Sequence, residues 1–214
     1  MTDQQEDATY DAYLLNYPDG SWLALAADLP GAYATGVSPD EATARLATAI
    51  PAYYAWLQTH DDYTPIIHSA PCVVVRERAQ ATPWQTAFFA ADAEPVTDED
   101  LDWWLAVIGW AYDDLVAEAQ RTPTSPLLGA VTALQLDTLA HATGGPAMPP
   151  GPASVDALAT LKAAQQATQS RFRRTNAEQR AAVREVAGQR WSVRRGLRES
   201  ALLARRALDD LKRL

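Results

Sequence analysis

Gln189-Arg190-Trp191-Ser192-Val193-Arg194-Arg195-Gly196-Leu197-Arg198-Glu199 decides how the second half of this chain is read. Ser192 carries the hydroxyl of a helix N-cap, able to accept from the free backbone N–H groups of a first turn. Behind it Leu197, Ala201, Ala204, Leu208 and Leu211 recur at three- and four-residue steps. That spacing lines one apolar face. It predicts a last helix from Ser192 to near the C-terminus.

Three more helices are predicted ahead of it. Thr97-Asp98-Glu99-Asp100 is a capping box, in which the first side chain and the fourth satisfy each other's backbone N–H. The helix it opens places Leu101, Trp104, Leu105, Ile108, Tyr112, Leu115 and Val116 on one side. Pro123 and Pro126 separate it from a second helix that ends at Gly144-Gly145. A Pro/Gly loop over 145–152 leads to Ser154, the expected N-cap of a third helix reaching about Arg174. Four amphipathic helices of this length predict an all-α four-helix bundle over 97–214.

The first third has a different texture. Thr9 to Asn16 is rich in strand formers, Tyr17-Pro18-Asp19-Gly20 is a turn, and Ser21 to Ala27 completes a hairpin. Pro30-Gly31 breaks the chain again before a short strand over 32–35, ended by Gly36. Ser38-Pro39-Asp40-Glu41 then opens a helix with cap, N1 proline and acids in the first turn. Pro51 lies inside its apolar pattern, where a kink is expected. Cys72-Val73-Val74-Val75-Arg76-Glu77 reads as a further strand. The prediction is a β-β-β-α-β unit over 8–92, and the fold class is α+β.

An apolar fraction of 48% with seven Trp and eight Tyr is ample for packed cores. The single cysteine, Cys72, excludes an internal disulfide and any multi-cysteine zinc site; at the head of a β-branched run it is expected to be buried and inert. Residues 1–7 are polar and acidic and no apolar run approaches 18 residues, so neither a signal peptide nor a membrane span is read and a cytoplasmic protein is expected. The net charge of −9 is uneven. Residues 171–214 hold thirteen Arg/Lys against five Asp/Glu, and the rest holds five against twenty-two. Without interleaved aromatics, the basic run reads as a helical face paired to acids of its own fold or a second subunit, and nucleic acid is not expected as a partner.

Two resemblances enter on these residues. Tyr17-Pro18-Asp19-Gly20, Asp28-Leu29-Pro30-Gly31, Ala34-Thr35-Gly36 and Ser38-Pro39-Asp40-Glu41-Ala42 resemble the HicB-like antitoxin family over residues 10–57. The resemblance implies a partial ribonuclease-H-like fold that neutralises a small toxin. Leu139-Ala140-His141 and Arg190 to Arg198 resemble the DinB-like superfamily over residues 98–214. That resemblance implies a four-helix bundle with a divalent metal held by one histidine on the second helix and two, four apart, on the last. His141 matches the first of these; Leu203 and Ala207 stand where the other two would be, and neither side chain coordinates metal. Such sites need three or four protein ligands.

The expectation is therefore a vestigial metal site turned pocket, formed by His141, Glu199, Leu203 and Ala207, with no catalytic residue, metal or cofactor. Glu199, Asp113, Asp137, His60 and His68 are the substitute ligands weighed. Asp11, Asp19, Asp28 and Glu41 are acidic enough to attract Mg²⁺ but suit turns and helix starts better. The leading reading is a non-enzymatic binding or assembly protein, a homodimer with a possible small protein partner and no membrane association. The alternatives are a metal-dependent transferase or hydrolase with substituted ligands, and an antitoxin-like protein that neutralises a small ribonuclease toxin.

Overall fold

The computed structural model describes residues 8–62, 64–65, 71–81, 87–121, 126–145 and 157–214. His68, Pro123, the loop from 146 and Ser154 lie outside the described residues. The fold is α+β, with a four-stranded sheet followed by helices. The chain divides into two compact units, Met1–Ala87 and Phe88–Leu214. The division falls ahead of the expected boundary at residue 92, because Phe89 and Asp92 are buried by groups of the second unit.

In the first unit, strands β1 (Thr9–Asn16), β2 (Trp22–Ala26) and β3 (Tyr33–Gly36) form an antiparallel meander. Helix α1 (Pro39–Leu57) crosses back, and β4 (Cys72–Gln80) then pairs parallel to β1. The order is β3-β2-β1-β4, with β3 and β4 at the edges. The Ser38 hydroxyl accepts from Glu41 N at 3.1 Å, as the capping signal required. Ala42, Leu46, Ile50, Tyr53 and Leu57 form the buried stripe of α1, which runs unbroken past Pro51. Tyr10 donates to Tyr54 Oη at 3.0 Å, fixing α1 over β1, and burial together with that bond raises the Tyr54 hydroxyl above its ordinary range.

The second unit starts with a short 3-10 turn, Ala90–Ala93. Long helices α2 (Asp98–Ala119), α3 (Pro126–Thr143), α4 (Ala157–Arg173) and α6 (Val193–Leu211) carry its core. α2 packs on α4 and α6, and α3 packs on the same two. The capping box at Thr97 is formed, with Asp100 N donating to Thr97 Oγ1 at 3.0 Å. The expectation of an all-α second unit is corrected. A short helix α5 (Ala177–Ala181) and a hairpin of β5 (Arg184–Val186) and β6 (Gln189–Trp191) stand between α4 and α6. The cause is the turn at Ala187-Gly188, whose residues have φ of 51° and 76°. Two successive positive φ angles make the tight turn that matches strand twist.

Among the described residues, no helix is long and apolar enough to cross a membrane.

Candidate functional site

Arg190, Arg194 and Arg198 stand four residues apart where the hairpin runs into α6, and all three reach the segment between residues 88 and 100. The Arg190 guanidinium lies 4.1 Å above the Phe88 ring. Arg194 donates to Pro95 O at 3.1 Å and to Asp100 Oδ2 at 3.2 Å. Arg198 forms a two-pronged pair with Asp92: Nε to Oδ1 at 3.1 Å and Nη2 to Oδ2 at 2.6 Å. Asp92 also accepts from Phe89 N at 2.8 Å, so each carboxylate oxygen has a donor.

Arg195 works on another side of the helix. Its Nε donates to Glu199 Oε1 at 3.2 Å, Nη1 to Arg190 O at 2.5 Å and Nη2 to Gln189 Oε1 at 3.3 Å. Its guanidinium also stacks 4.0 Å above the Trp191 ring. Arg195, Arg198 and Asp92 are each at most 4% exposed, and Glu199 is 8% exposed. Ions buried this deeply persist only when paired and hydrogen-bonded. Burial is the main influence lowering the Arg195 pKa; the charges of Glu199 and Asp92 oppose it, and Arg198 adds to it. Arg180 pairs with Asp98 at 2.6 Å and Arg213 with Asp210 at 3.2 Å. Much of the basic C-terminal run is thus neutralised inside its own unit.

His141 occupies the last turn of α3. Its ring lies 5.0 Å from that of Trp191. Its Nδ1 comes within 3.5 Å of Asp137 Oδ2 without hydrogen-bond geometry, so this buried nitrogen is unsatisfied. The next residue, Ala142, touches α6 at Gly196: a Cβ built there would stand 2.2 Å from Ala142 Cβ. His141 therefore belongs to the start of α6. Leu203 and Ala207 lie seven and eleven residues beyond Gly196, about 10 and 16 Å along the axis at 1.5 Å per residue. Glu199 is held by Arg195. Of the four residues expected to line one pocket, His141 and Glu199 both lie at the start of α6, the first against Trp191 and the second bonded to the Arg195 that stacks on it, while Leu203 and Ala207 lie further along the helix.

The remaining acids are engaged locally. Asp113 accepts from Gln165 Nε2 at 2.8 Å on the surface, and Asp137 is half exposed. Asp11 pairs with Arg76 at 2.8 Å. Asp19 accepts from the Ser21 hydroxyl at 2.6 Å and from Ser21 N at 2.9 Å, which lowers its pKa. Glu41 caps Val37 N and pairs with Arg45. Asp28 is exposed, and His60 packs edge-on against Trp56. Among the described residues, no three His, Cys, Asp or Glu side chains gather into a metal-binding group.

Cys72 corrects another expectation, since it is exposed. It opens β4, one of the two edge strands, on whose outer flank no further strand pairs among the described residues. β4 is nine residues long and none of them is fully buried, Val73, Val74 and Val75 included.

A neutral polar cluster was not foreseen. Gln135 on α3 is completely buried, and its Nε2 donates to Thr168 Oγ1 on α4 and Ser200 Oγ on α6, both at 2.9 Å. Both hydroxyls donate back to their own helices, to Ala164 O at 2.8 Å and Gly196 O at 2.7 Å. A glutamine at a heptad-like core position is the only signal for this in the sequence. An open groove of about 620 Å³ between α2 and α4 is walled in part by Gln165 and Gln169, and the latter donates to Leu105 O at 3.0 Å.

No protein-family model matches this chain, and neither a curated protein nor a solved structure is significantly similar to it.

Proposed function

We propose that this chain is a non-enzymatic binding and assembly protein that joins to a second copy of itself through the open β4 edge. The observation that carries this reading is the strand itself. Nine residues at the margin of the sheet include a run of three incompletely buried valines. Exposed β-prone edges of this length present unpaired N–H and C=O groups to another strand. Natural edges are usually blunted by proline or charge; β4 has no proline, and its charged residues Arg76, Glu77 and Arg78 follow the valine run rather than interrupt it. A symmetric pair is the commonest way for such an edge to close.

The second unit serves as the structural body in this proposal. The packing of α2 and α3 on both α4 and α6 supports reading its long helices as a four-helix bundle, in line with the DinB-like resemblance. The arginines at the start of α6 act as internal braces, supported by their pairing with carboxylates and carbonyls of the same unit. A HicB-like character for the first unit fits its β-β-β-α-β order and would make the edge a recognition surface.

Light scattering after size exclusion tests the reading. The expected result is a dimer for the native chain and a monomer for Val74→Lys, which puts a charge on the edge while leaving the β1 ladder in place. A native monomer at tens of micromolar, or a Val74→Lys dimer of unchanged affinity, overturns it.

A further inference from the structure

The four long helices of the second unit can be levelled against one another. Asp100 on α2 meets Arg194 on α6, and the Glu118 carboxylate, stabilised chiefly by its bond from Arg121, also feels the charge of Lys212. Both pairs are 94 residues apart, so α2 and α6 run parallel and Ser200 stands level with Ala106. α4 runs the other way, since Gln165 bonds Gly109 O and Asp113 while Gln169 bonds Leu105 O. Thr168 is therefore level with residues 105–109 of α2. Gln135 of α3 reaches both Thr168 and Ser200, which places its amide in the same layer.

The fourth helix contributes Tyr112, which is fully buried. It leaves α2 one turn beyond this layer, and helical side chains lean toward the N-terminus of their own helix. Its hydroxyl is thereby carried back over residue 108, into the layer of Gln135, Thr168 and Ser200. The Tyr112 hydroxyl and Gln135 Oε1 are both buried and have no hydrogen-bond partner in the protein. The assignment of the amide is fixed by its neighbours. Both hydroxyls already spend their single proton on an i−4 carbonyl, so only the amide nitrogen can face them and the oxygen is left over. Burial raises the Tyr112 pKa and keeps the phenol a neutral donor.

We infer that this layer is a binding site for one internal water molecule bridging Tyr112 Oη and Gln135 Oε1. The water accepts from the tyrosine and donates to the amide oxygen. Its second proton goes to the spare lone pair of the Thr168 or Ser200 hydroxyl. Three partners is the usual complement of a buried water, and an unpaired buried polar atom is costly enough for two in one layer to call for a shared answer. The site would tie α2 to α3, two long helices whose main packing is on α4 and α6 rather than on each other.

The sign of one substitution tests this. Tyr112→Phe removes a hydroxyl and nothing else. If the hydroxyl bridges to water, the folding equilibrium constant falls about fivefold, the worth of a typical hydrogen bond. If it has no partner, its removal leaves stability unchanged or raises it, and the inference fails. Gln135→Met, close in shape, completes a double-mutant cycle of denaturant unfolding in the full chain. Coupling between the two positions is expected, and strict additivity overturns the site. A high-resolution crystal structure gives an independent reading. A single density peak within hydrogen-bond distance of both atoms is expected, and direct contact between the atoms, or an empty gap, is the contrary result.

Discussion

Two polar regions are buried in the second unit, and they are built on opposite principles. At the start of α6, Arg195, Arg198, Asp92 and Glu199 are ions, and the protein surrounds them with partners from side chains, carbonyls and aromatic faces. In the middle, Gln135, Thr168, Ser200 and Tyr112 are neutral, and two of their polar atoms have no partner in the protein. The difference follows from what desolvation costs. A buried charge without a partner is worth several kcal/mol of instability, whereas a neutral orphan costs about 1–3 kcal/mol. At the start of α6, where the penalty for a gap is largest, none of these four ions has a buried side-chain atom without a partner.

The comparison breaks hardest at Arg198. Arg198→Ala removes both bonds to Asp92 and leaves that carboxylate 2% exposed with only its backbone donor. A loss of about 3–5 kcal/mol is expected, read by urea unfolding. Replacing both partners, as in Arg198→Leu with Asp92→Leu, should cost much less than the single change. A double variant no better than Arg198→Ala would mean that the pair is not what holds the segment around residues 88–93.

Next in size is the contact that brings α3 to α6. Gly196→Ala forces a methyl toward Ala142 Cβ and the Phe172 ring, and helix backbones have to separate. About 1–3 kcal/mol is expected from overpacking. Because Ser200 donates to Gly196 O, the same shift should weaken the neutral layer, and the amide signals of Gln135 are expected to move in NMR spectra. If they stay in place, the charged and neutral regions are mechanically separate.

Gln135→Leu is expected to cost less, about 1 kcal/mol. Both hydroxyls it served keep their own i−4 carbonyl acceptors, so the substitution strands neither of them. A loss as large as that of Arg198→Ala would contradict the ranking of charged over neutral pairing.

How much of this could be read in the sequence depends on the distance over which each feature is encoded. Ser38, Thr97 and Ser192 sit next to the N–H groups that they cap, and all three caps formed where expected. The β-β-β-α-β order of the first unit was legible for the same reason, since its turns are local. The exposure of Cys72 was not, because it depends on strand order, which pairs β4 with β1 across more than sixty residues. The four-residue step of Arg190, Arg194 and Arg198 was visible, but the partner that matters most, Asp92, lies 106 residues from Arg198. The expected pocket at His141, Glu199, Leu203 and Ala207 rested on the resemblance alone.

The smallest effect concerns the hairpin that feeds the charged region. Ala187 holds φ at 51°, a conformation that disfavours any side chain with a Cβ, beside Gly188, which adopts its 76° freely. The strain is tolerated because Arg195 grips the far side of the turn, donating to Arg190 O and to the Gln189 side chain. Ala187→Gly relieves the Cβ clash but loosens the unfolded chain, so the net gain is small, about 0.5–1 kcal/mol. If the braces hold the hairpin, the gain should grow when Arg195 is weakened to Lys, because the turn then has to sustain itself. An equal gain in both backgrounds would show that the turn and the charged cluster stand independently.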